Sequence, residues 1–160
     1  VVDRVKVYVD SSFDERKGLA GIGIVIQKGL KQRNISTYLH CPSNNYGELF
    51  AVYLGAILTH GQGIIYTDSE TAIKFINNEV NPDKPRDKQQ YYNYQMMKVL
   101  AYKVNLLKPE VRKVKAHTGQ MKFLEIGNAM ADLLSKQGRA KFYQSEKLKR
   151  AKFEHISKVK

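Results

Sequence analysis

Three β-rich runs fill the first forty residues, and beyond them helical and strand-like segments alternate; this order constrains the fold more than any other feature of the chain. Residues 5–9, Val-Lys-Val-Tyr-Val, alternate and read as a strand ending at Asp10. Residues 20–27 carry Gly21, Ile22, Gly23, Ile24, Val25 and Ile26, a buried strand with small residues, and after Gly29 residues 32–39 return as an edge strand. A helix follows, with Asn45 as its expected N-cap, Glu48 three positions on, and Leu49, Phe50, Val52, Tyr53, Ala56 and Ile57 at helical spacing; Gly61 and Gly63 end it. Residues 64–67 form a short strand that stops at Asp68, and Ser69 opens a second helix. After the Asn81-Pro82-Asp83-Lys84-Pro85 break come a helix over 87–106, a strand over 111–115, a loop from Ala116 and a helix over 123–137 closed by Gly138. The pattern is α/β with a mixed sheet.

The chain has 160 residues, the size of one domain, and its 42% hydrophobic content supports a real core. No apolar run reaches the roughly 18 residues of a membrane span, and no signal-peptide pattern opens the chain. Cys41 is the single cysteine, which excludes an internal disulfide and a cysteine zinc cluster, so an intracellular, cytoplasmic location is expected. The formal net charge is +12. It sits in two blocks: residues 84–122 hold 10 basic and 2 acidic residues, and residues 139–160 hold 8 basic and 2 acidic residues. A surplus of this size points to a polyanionic partner, although a solvated lysine surface accounts for part of it.

Asp10 and Asp68 each follow a β-rich run directly. Ligands of open α/β sheets collect at the carboxyl ends of neighbouring parallel strands, so adjacency of these two strands would project both carboxylates into one crevice. Such a pair repels itself unless a cation sits between. Oxygen ligands without a Cys or His cluster favour Mg²⁺ or Mn²⁺ over zinc. Taken singly, each acid has a simpler role: Asp10 in a turn, Asp68 as a helix cap, Glu48 as the back half of a capping box.

The motifs in sequence order decide between these roles. Tyr-Val-Asp10-Ser-Ser, Asn44-Asn45-x-x-Glu48-Leu, Tyr-Thr-Asp68-Ser69, Lys-Ala-His117-Thr-Gly119 and Gly127-Asn128-x-x-Ala131-Asp132-x-Leu together resemble type 1 ribonuclease H over about residues 4–138. The resemblance implies a ribonuclease H-like fold: a five-stranded mixed sheet, made of a three-stranded antiparallel meander plus two parallel strands, flanked by helices. It implies that Asp10, Glu48, Asp68 and Asp132 bind two divalent ions, Mg²⁺ with Mn²⁺ as a substitute, around the scissile phosphate of an RNA strand paired to DNA. One ion then activates a water and the other stabilises the leaving 3′ oxygen, giving 5′-phosphate and 3′-hydroxyl ends. His117 matches the family's mobile histidine, suited to proton transfer or product departure.

The same resemblance assigns substrate contacts. Asn44 and Asn45 match the paired asparagines that touch both strands in the minor groove, Ser43 stands where a threonine often meets a DNA phosphate, and Ser12 lies beside the RNA backbone. Lys84, Arg86 and Lys88 open the segment where many members carry a basic handle, with Lys98 and Lys103 further along it. Three departures carry expectations of their own. Ser11 replaces the usual glycine and should alter how RNA packs there. Glu70 replaces a neutral residue and should add repulsion near phosphate. The absence of tryptophan removes the aromatic phosphate channel of many handles, or has it built from other residues.

The resulting expectation is a catalytic domain over residues 1–138 and a basic, helical extension over 139–160, with Phe142, Leu148, Phe153 and Ile156 anchoring one face of the extension. The expected partner is an RNA–DNA hybrid, with no membrane and no small-molecule cofactor, and the expected state is a monomer. Two alternatives remain at this stage: a ribonuclease H domain of a reverse transcriptase polyprotein, and a catalytically silent hybrid-binding module. Intact acids at all four positions argue against the silent module, because a pure binder gains nothing from negative charge beside phosphates.

Overall fold

A computed structural model describes residues 4–80, 86–114 and 122–159. Strands β1 (Lys6–Asp14), β2 (Leu19–Lys28) and β3 (Lys31–His40) form the antiparallel meander, and β4 (Ile64–Thr67) and β5 (Glu110–Lys113) extend it in parallel. The sheet order is β3-β2-β1-β4-β5. Helices α1 (Asn44–Leu58), α2 (Glu70–Ile76), α3 (Lys88–Leu106) and α4 (Lys122–Val159) complete the fold. The expected five-stranded mixed sheet is therefore present, with β3 at one edge.

The pleat divides the strands between two layers. Val7 and Val9 of β1 and Ile22 and Ile24 of β2 face one side, where they bury Leu49 and Val52 of α1 and Met97 and Val104 of α3. The α1 layer is needed because these strands carry apolar residues at every second position, which water would otherwise meet. Tyr8, Val25, Ile64 and Tyr66 face the other side, where Ala131 of α4 covers them. A Cβ on Gly21 would lie 1.9 Å from the Ser135 carbonyl oxygen, and one on Gly23 would lie 2.0 Å from that of Ala131. The two glycines let α4 lie flush on β2.

Several boundaries differ from expectation. Ser43, not Asn45, caps α1: its hydroxyl accepts the Tyr46 N–H at 3.1 Å. The helix thus starts two residues earlier than a cap at Asn45 would allow, and Glu48 is released from any capping box. Strand β5 begins at Glu110, one residue early. Gly138 does not close the last helix, which runs unbroken to Val159. A Cβ there would lie 2.0 Å from the Thr37 carbonyl oxygen, so this glycine serves close contact with β3 rather than a C-cap. Among the expected anchors of the tail, the Phe142 ring packs edge-on against Tyr38 and His40, with centroids 5.3 and 5.2 Å away. Leu148 and Phe153 are 63% and 72% exposed and anchor nothing on the sheet, because the helix has by then passed its margin. The Ile156 side chain lies outside the described residues.

Candidate active site

The parallel pairing of β1 with β4 sets Tyr8 opposite Tyr66, and two residues further along each strand stand Asp10 and Asp68. Asp10 is buried on the α4 face, and its Oδ1 accepts the Ser11 N–H at 2.9 Å. Asp68 falls between the end of β4 and the N-cap of α2, Ser69, whose hydroxyl accepts the Ala72 N–H at 3.1 Å. Capping is thus done by Ser69, and the Asp68 carboxylate is left to the crevice.

Glu48 reaches the crevice from the first turns of α1. A close approach places it there: a Cβ on Gly47 would lie 2.5 Å from the Ser11 hydroxyl and 3.0 Å from the Ala20 Cβ. Asp10, Glu48 and Asp68 each offer a carboxylate oxygen, and these oxygens all lie within 4.8 Å of one another. Asp132 joins them from α4: its side chain hydrogen-bonds with Asp10 and its charge acts on Glu48 and Asp68. The face of α4 that meets the sheet at Ala131 brings Asp132 to the rim, half exposed, where Lys136 pairs with it at 3.0 Å.

The electrostatics follow from crowding and burial. Burial, then the Asp68 and Asp132 charges, pushes the Asp10 carboxyl up to about 7. Burial, then the charges of Asp10, Asp68 and Asp132, pushes Glu48 up to about 9. Asp68 is also raised, by burial first and then by Asp132, against hydrogen bonding from Asn128 and the charge of Lys113. The Glu48 Oε2 atom is buried and has no hydrogen-bond partner among the described residues. An orphaned carboxylate oxygen inside a ring of oxygen donors fits a hard divalent cation, which would satisfy that atom and remove the repulsion. These residues therefore suit Mg²⁺ or Mn²⁺ on donor chemistry alone.

Asn44 and Asn45 are exposed on the first turn of α1. Ser43, Asn45 and Arg86 line one groove with Thr71, Gln90 and Asn93, between the N-terminal ends of α1 and α3. The Ser43 hydroxyl is engaged internally, within 2.9 Å of Asn93 Oδ1 as well as holding the Tyr46 N–H. Lys88 is exposed at the start of α3. His117 and Lys84 lie outside the described residues.

Two expectations about departures change. The Ser11 side chain is buried under Gly47 on the α1 face, so it bears on the seating of α1. Glu70 is paired with Lys113 at 3.4 Å and Lys74 at 3.6 Å, which holds its carboxyl below the usual range and offsets its charge. Two partners escaped sequence reasoning, and the place of a third was legible. Asn128 hydrogen-bonds to Asp68, and its position four residues before Asp132 is the signal that places both on one face. Arg139 Nη1 donates to Ser12 Oγ at 2.9 Å, seven residues after Asp132 and so on the same side of α4. The contact of Asn93 with Ser43 had no local signal, since 50 residues separate them.

The sheet order, the mixed pairing and the helix layers define a ribonuclease H-like fold. Two solved structures share it at low sequence identity. The RNase H1 of the halophilic archaeon Halobacterium salinarum is 16% identical with a TM-score of 0.65, over 86% of this chain and 98% of that one. The N-terminal RNase H domain of rv2228c from Mycobacterium tuberculosis, solved fused to maltose-binding protein, is 16% identical with a TM-score of 0.61, over 90% of this chain and 99% of that one. A search of curated proteins returns no match. The RNase H family model matches residues 3–140, and the chain belongs to that family. Among the described residues no helix is long and apolar enough to cross a membrane.

Proposed function

We propose that the chain is an endoribonuclease that hydrolyses the RNA strand of RNA–DNA hybrids with two divalent ions, leaving 5′-phosphate and 3′-hydroxyl ends. The observation that carries this reading is the convergence of Asp10, Glu48 and Asp68 from three separate elements onto one point, with a Glu48 oxygen left unpartnered. A fold does not need that arrangement for stability, because buried like charges oppose folding.

Asp10, Glu48, Asp68 and Asp132 are the proposed metal ligands. Divalent ions bound by them would supply a hydroxide nucleophile at neutral pH and neutralise charge on the phosphate and the leaving oxygen. Asn128 holds Asp68 in orientation. Asn44 and Asn45 present amides that donate and accept to sugars and base edges, which suits a minor groove with a 2′-hydroxyl on one strand only. Ser12, fixed by Arg139, faces the RNA strand, while Ser43 and Arg86 border the groove assigned to the DNA strand and Lys88 stands exposed at the start of α3 as a further phosphate contact. In the overall reaction water adds to phosphorus, the bond from phosphorus to the 3′ oxygen breaks, and a proton reaches that oxygen; His117 is the proposed carrier. Residues 1–138 are the proposed catalytic unit, and the hybrid duplex is the proposed partner of a monomer.

The test is cleavage of an end-labelled hybrid with Mg²⁺ and with chelator, beside single-stranded RNA, double-stranded RNA and a DNA duplex containing one ribonucleotide. Metal-dependent cutting of the hybrid alone is expected, because residues such as Asn44 and Asn45 read several consecutive 2′-hydroxyls. No cutting of the hybrid would sink the reading, and efficient cutting at a lone ribonucleotide would assign the chain to another substrate class.

A further inference from the structure

The last 16 described residues of α4 belong to neither the sheet core nor the region matched by the family model, which stops at residue 140. Helix α4 follows β1 outward from the acidic cluster. Its Gly127 sits against Tyr8, Ala131 against Gly23, the pairing partner of Asp10, and Ser135 against Gly21, the partner of Ser12. The last ties to the body are Lys141 Nζ on the Ser36 carbonyl oxygen at 2.7 Å, the Phe142 ring on β3, and the Tyr143 hydroxyl, which donates to Asp14. Beyond Tyr143 the helix continues as a free rod.

That rod is basic. Lys147, Lys149, Arg150 and Lys152 stand against Glu146 and Glu154, and among the described residues none of the four bases makes an ion pair. Their azimuth is not random. Lys149 lies seven residues after Phe142, two helical turns, and so looks to the same side as the ring that packs on the sheet. Lys152 lies about 80° round the helix from that ring, on the flank it shares with Lys141 and Ser145. Lys147 and Arg150 lie on the opposite flank, which also carries Glu146 and Glu154. One flank of the rod thus carries Lys149 and Lys152 without an acid, whereas on the other Glu146 and Glu154 offset Lys147 and Arg150.

We infer that residues 144–155 form a phosphate-binding arm that holds the hybrid duplex outside the catalytic footprint, through Lys149 and Lys152. The inference rests on the proposed hybrid substrate and adds a second contact region to it. A duplex lying along α4 from Asp132 reaches Lys149 after about 26 Å and Lys152 after about 30 Å, at about 1.5 Å per helical residue. Those spans correspond to about eight and nine base pairs at about 3.4 Å each. A hybrid of eight base pairs centred on the carboxylates extends only about four base pairs towards the arm and does not meet it, whereas a longer one engages both.

The full chain carrying Lys149→Glu and Lys152→Glu tests this, with Lys147→Glu and Arg150→Glu as the equal charge change on the other side. Binding to 8- and 24-base-pair hybrids is measured across a salt series, with Asp10→Asn in every protein to prevent cutting. Circular dichroism and thermal unfolding check that the exposed substitutions leave the fold intact. The 149/152 variant is expected to bind the 24-base-pair hybrid roughly tenfold more weakly at low salt and to lose about two units of salt slope. Its ratio to the parent on the 8-base-pair hybrid should stay near one. An unchanged slope on the long hybrid, the same loss at both lengths, or an equal loss from the 147/150 variant would overturn the arm. Wild-type cleavage of the 24-base-pair hybrid in Mg²⁺ is measured in parallel: its absence overturns the proposed activity, whereas cleavage with an unchanged slope overturns the arm alone.

Discussion

Gly23 lies directly beneath Ala131, so close that a Cβ on the glycine would fall 2.0 Å from the Ala131 carbonyl oxygen. The contact fixes the height of α4 above the sheet one residue before Asp132, opposite the strand position of Asp10. Strand β2 thus sets the spacing between two acids that it does not itself carry.

Gly23→Ala is expected to push α4 outward. Overpacking of this kind costs about 1–3 kcal/mol, because the obstructing atom is backbone and cannot rotate away. Thermal unfolding should report the loss, and hybrid cleavage should fall by more than stability alone explains, since Asp132 moves with the helix. Normal activity in a destabilised Gly23→Ala protein would show that the Asp132 position is not set here.

Ser11 and Gly47 form a second coupled pair, on the opposite face. Gly47→Ala alone is expected to destabilise the protein, because its new methyl meets the Ser11 hydroxyl at 2.5 Å. Ser11→Gly removes that hydroxyl, whose oxygen is buried with no hydrogen-bond partner among the described residues. The double variant should recover part of the loss, with an interaction energy on the order of 0.5–3 kcal/mol in urea titrations. The contact with the Ala20 Cβ at 3.0 Å keeps recovery incomplete. Strict additivity would refute the coupling.

Asp10→Asn and Asp68→Asn are each expected to reduce hybrid cleavage at least on the order of a hundredfold, because the ligands position the charge that stabilises the transition state. Binding should hold or tighten, since one anion near phosphate is gone. His117→Ala should cost less, because water partly replaces a proton carrier. Gel-based turnover and filter binding on one hybrid check all three, and near-normal turnover by both Asp variants would remove the acids from the mechanism.

Stability without metal should decline with pH. Glu48 titrates near 4.5 when unfolded and about 9 when folded, and Asp10 near 3.8 and about 7. Both bind their protons more tightly in the folded chain, so their stabilising contribution is complete below about pH 4 and is lost as pH rises towards 9. Urea unfolding in chelator at pH 5, 7 and 9 should show this fall. Glu48→Gln should flatten it, and saturating Mg²⁺ should remove it by favouring the ionised form. A metal-free stability that rises over this range would contradict the burial of these carboxylates.

Asn128→Ala is expected to lower cleavage moderately while leaving unfolding nearly unchanged, since its amide orients Asp68 at the rim rather than filling the core. A loss matching that of Asp68→Asn would make it a ligand in its own right. Titration of activity against Mg²⁺ separates the cases, with a weaker apparent metal affinity expected for an orienting residue.

The meander and the alternation that follows it were legible in the chain, because strand pleat, helical periodicity and caps are local rules written over a few neighbouring residues; Asp10 and Asp68 stood out as acids at strand ends, whereas the set completed by Glu48 and Asp132 came from the motif resemblance. Ser69 as a cap and the helix from Lys88 were legible for the same reason. The cap at Ser43 was not, because three hydrogen-bonding residues in a row satisfy the same rule and only packing chooses among them. Gly138 carried the signature of a helix end, yet it lies within α4, where the carbonyl of Thr37 across the layer demands a residue without a side chain. The side to which Ser11 points, the pairing of Glu70 with Lys113, and the contacts of Arg139 with Ser12 and Asn128 with Asp68 were decided by tertiary structure alone. Each joins elements far apart in the chain, and the closeness of such elements depends on how backbone meets backbone across the sheet, a quantity that no local pattern records.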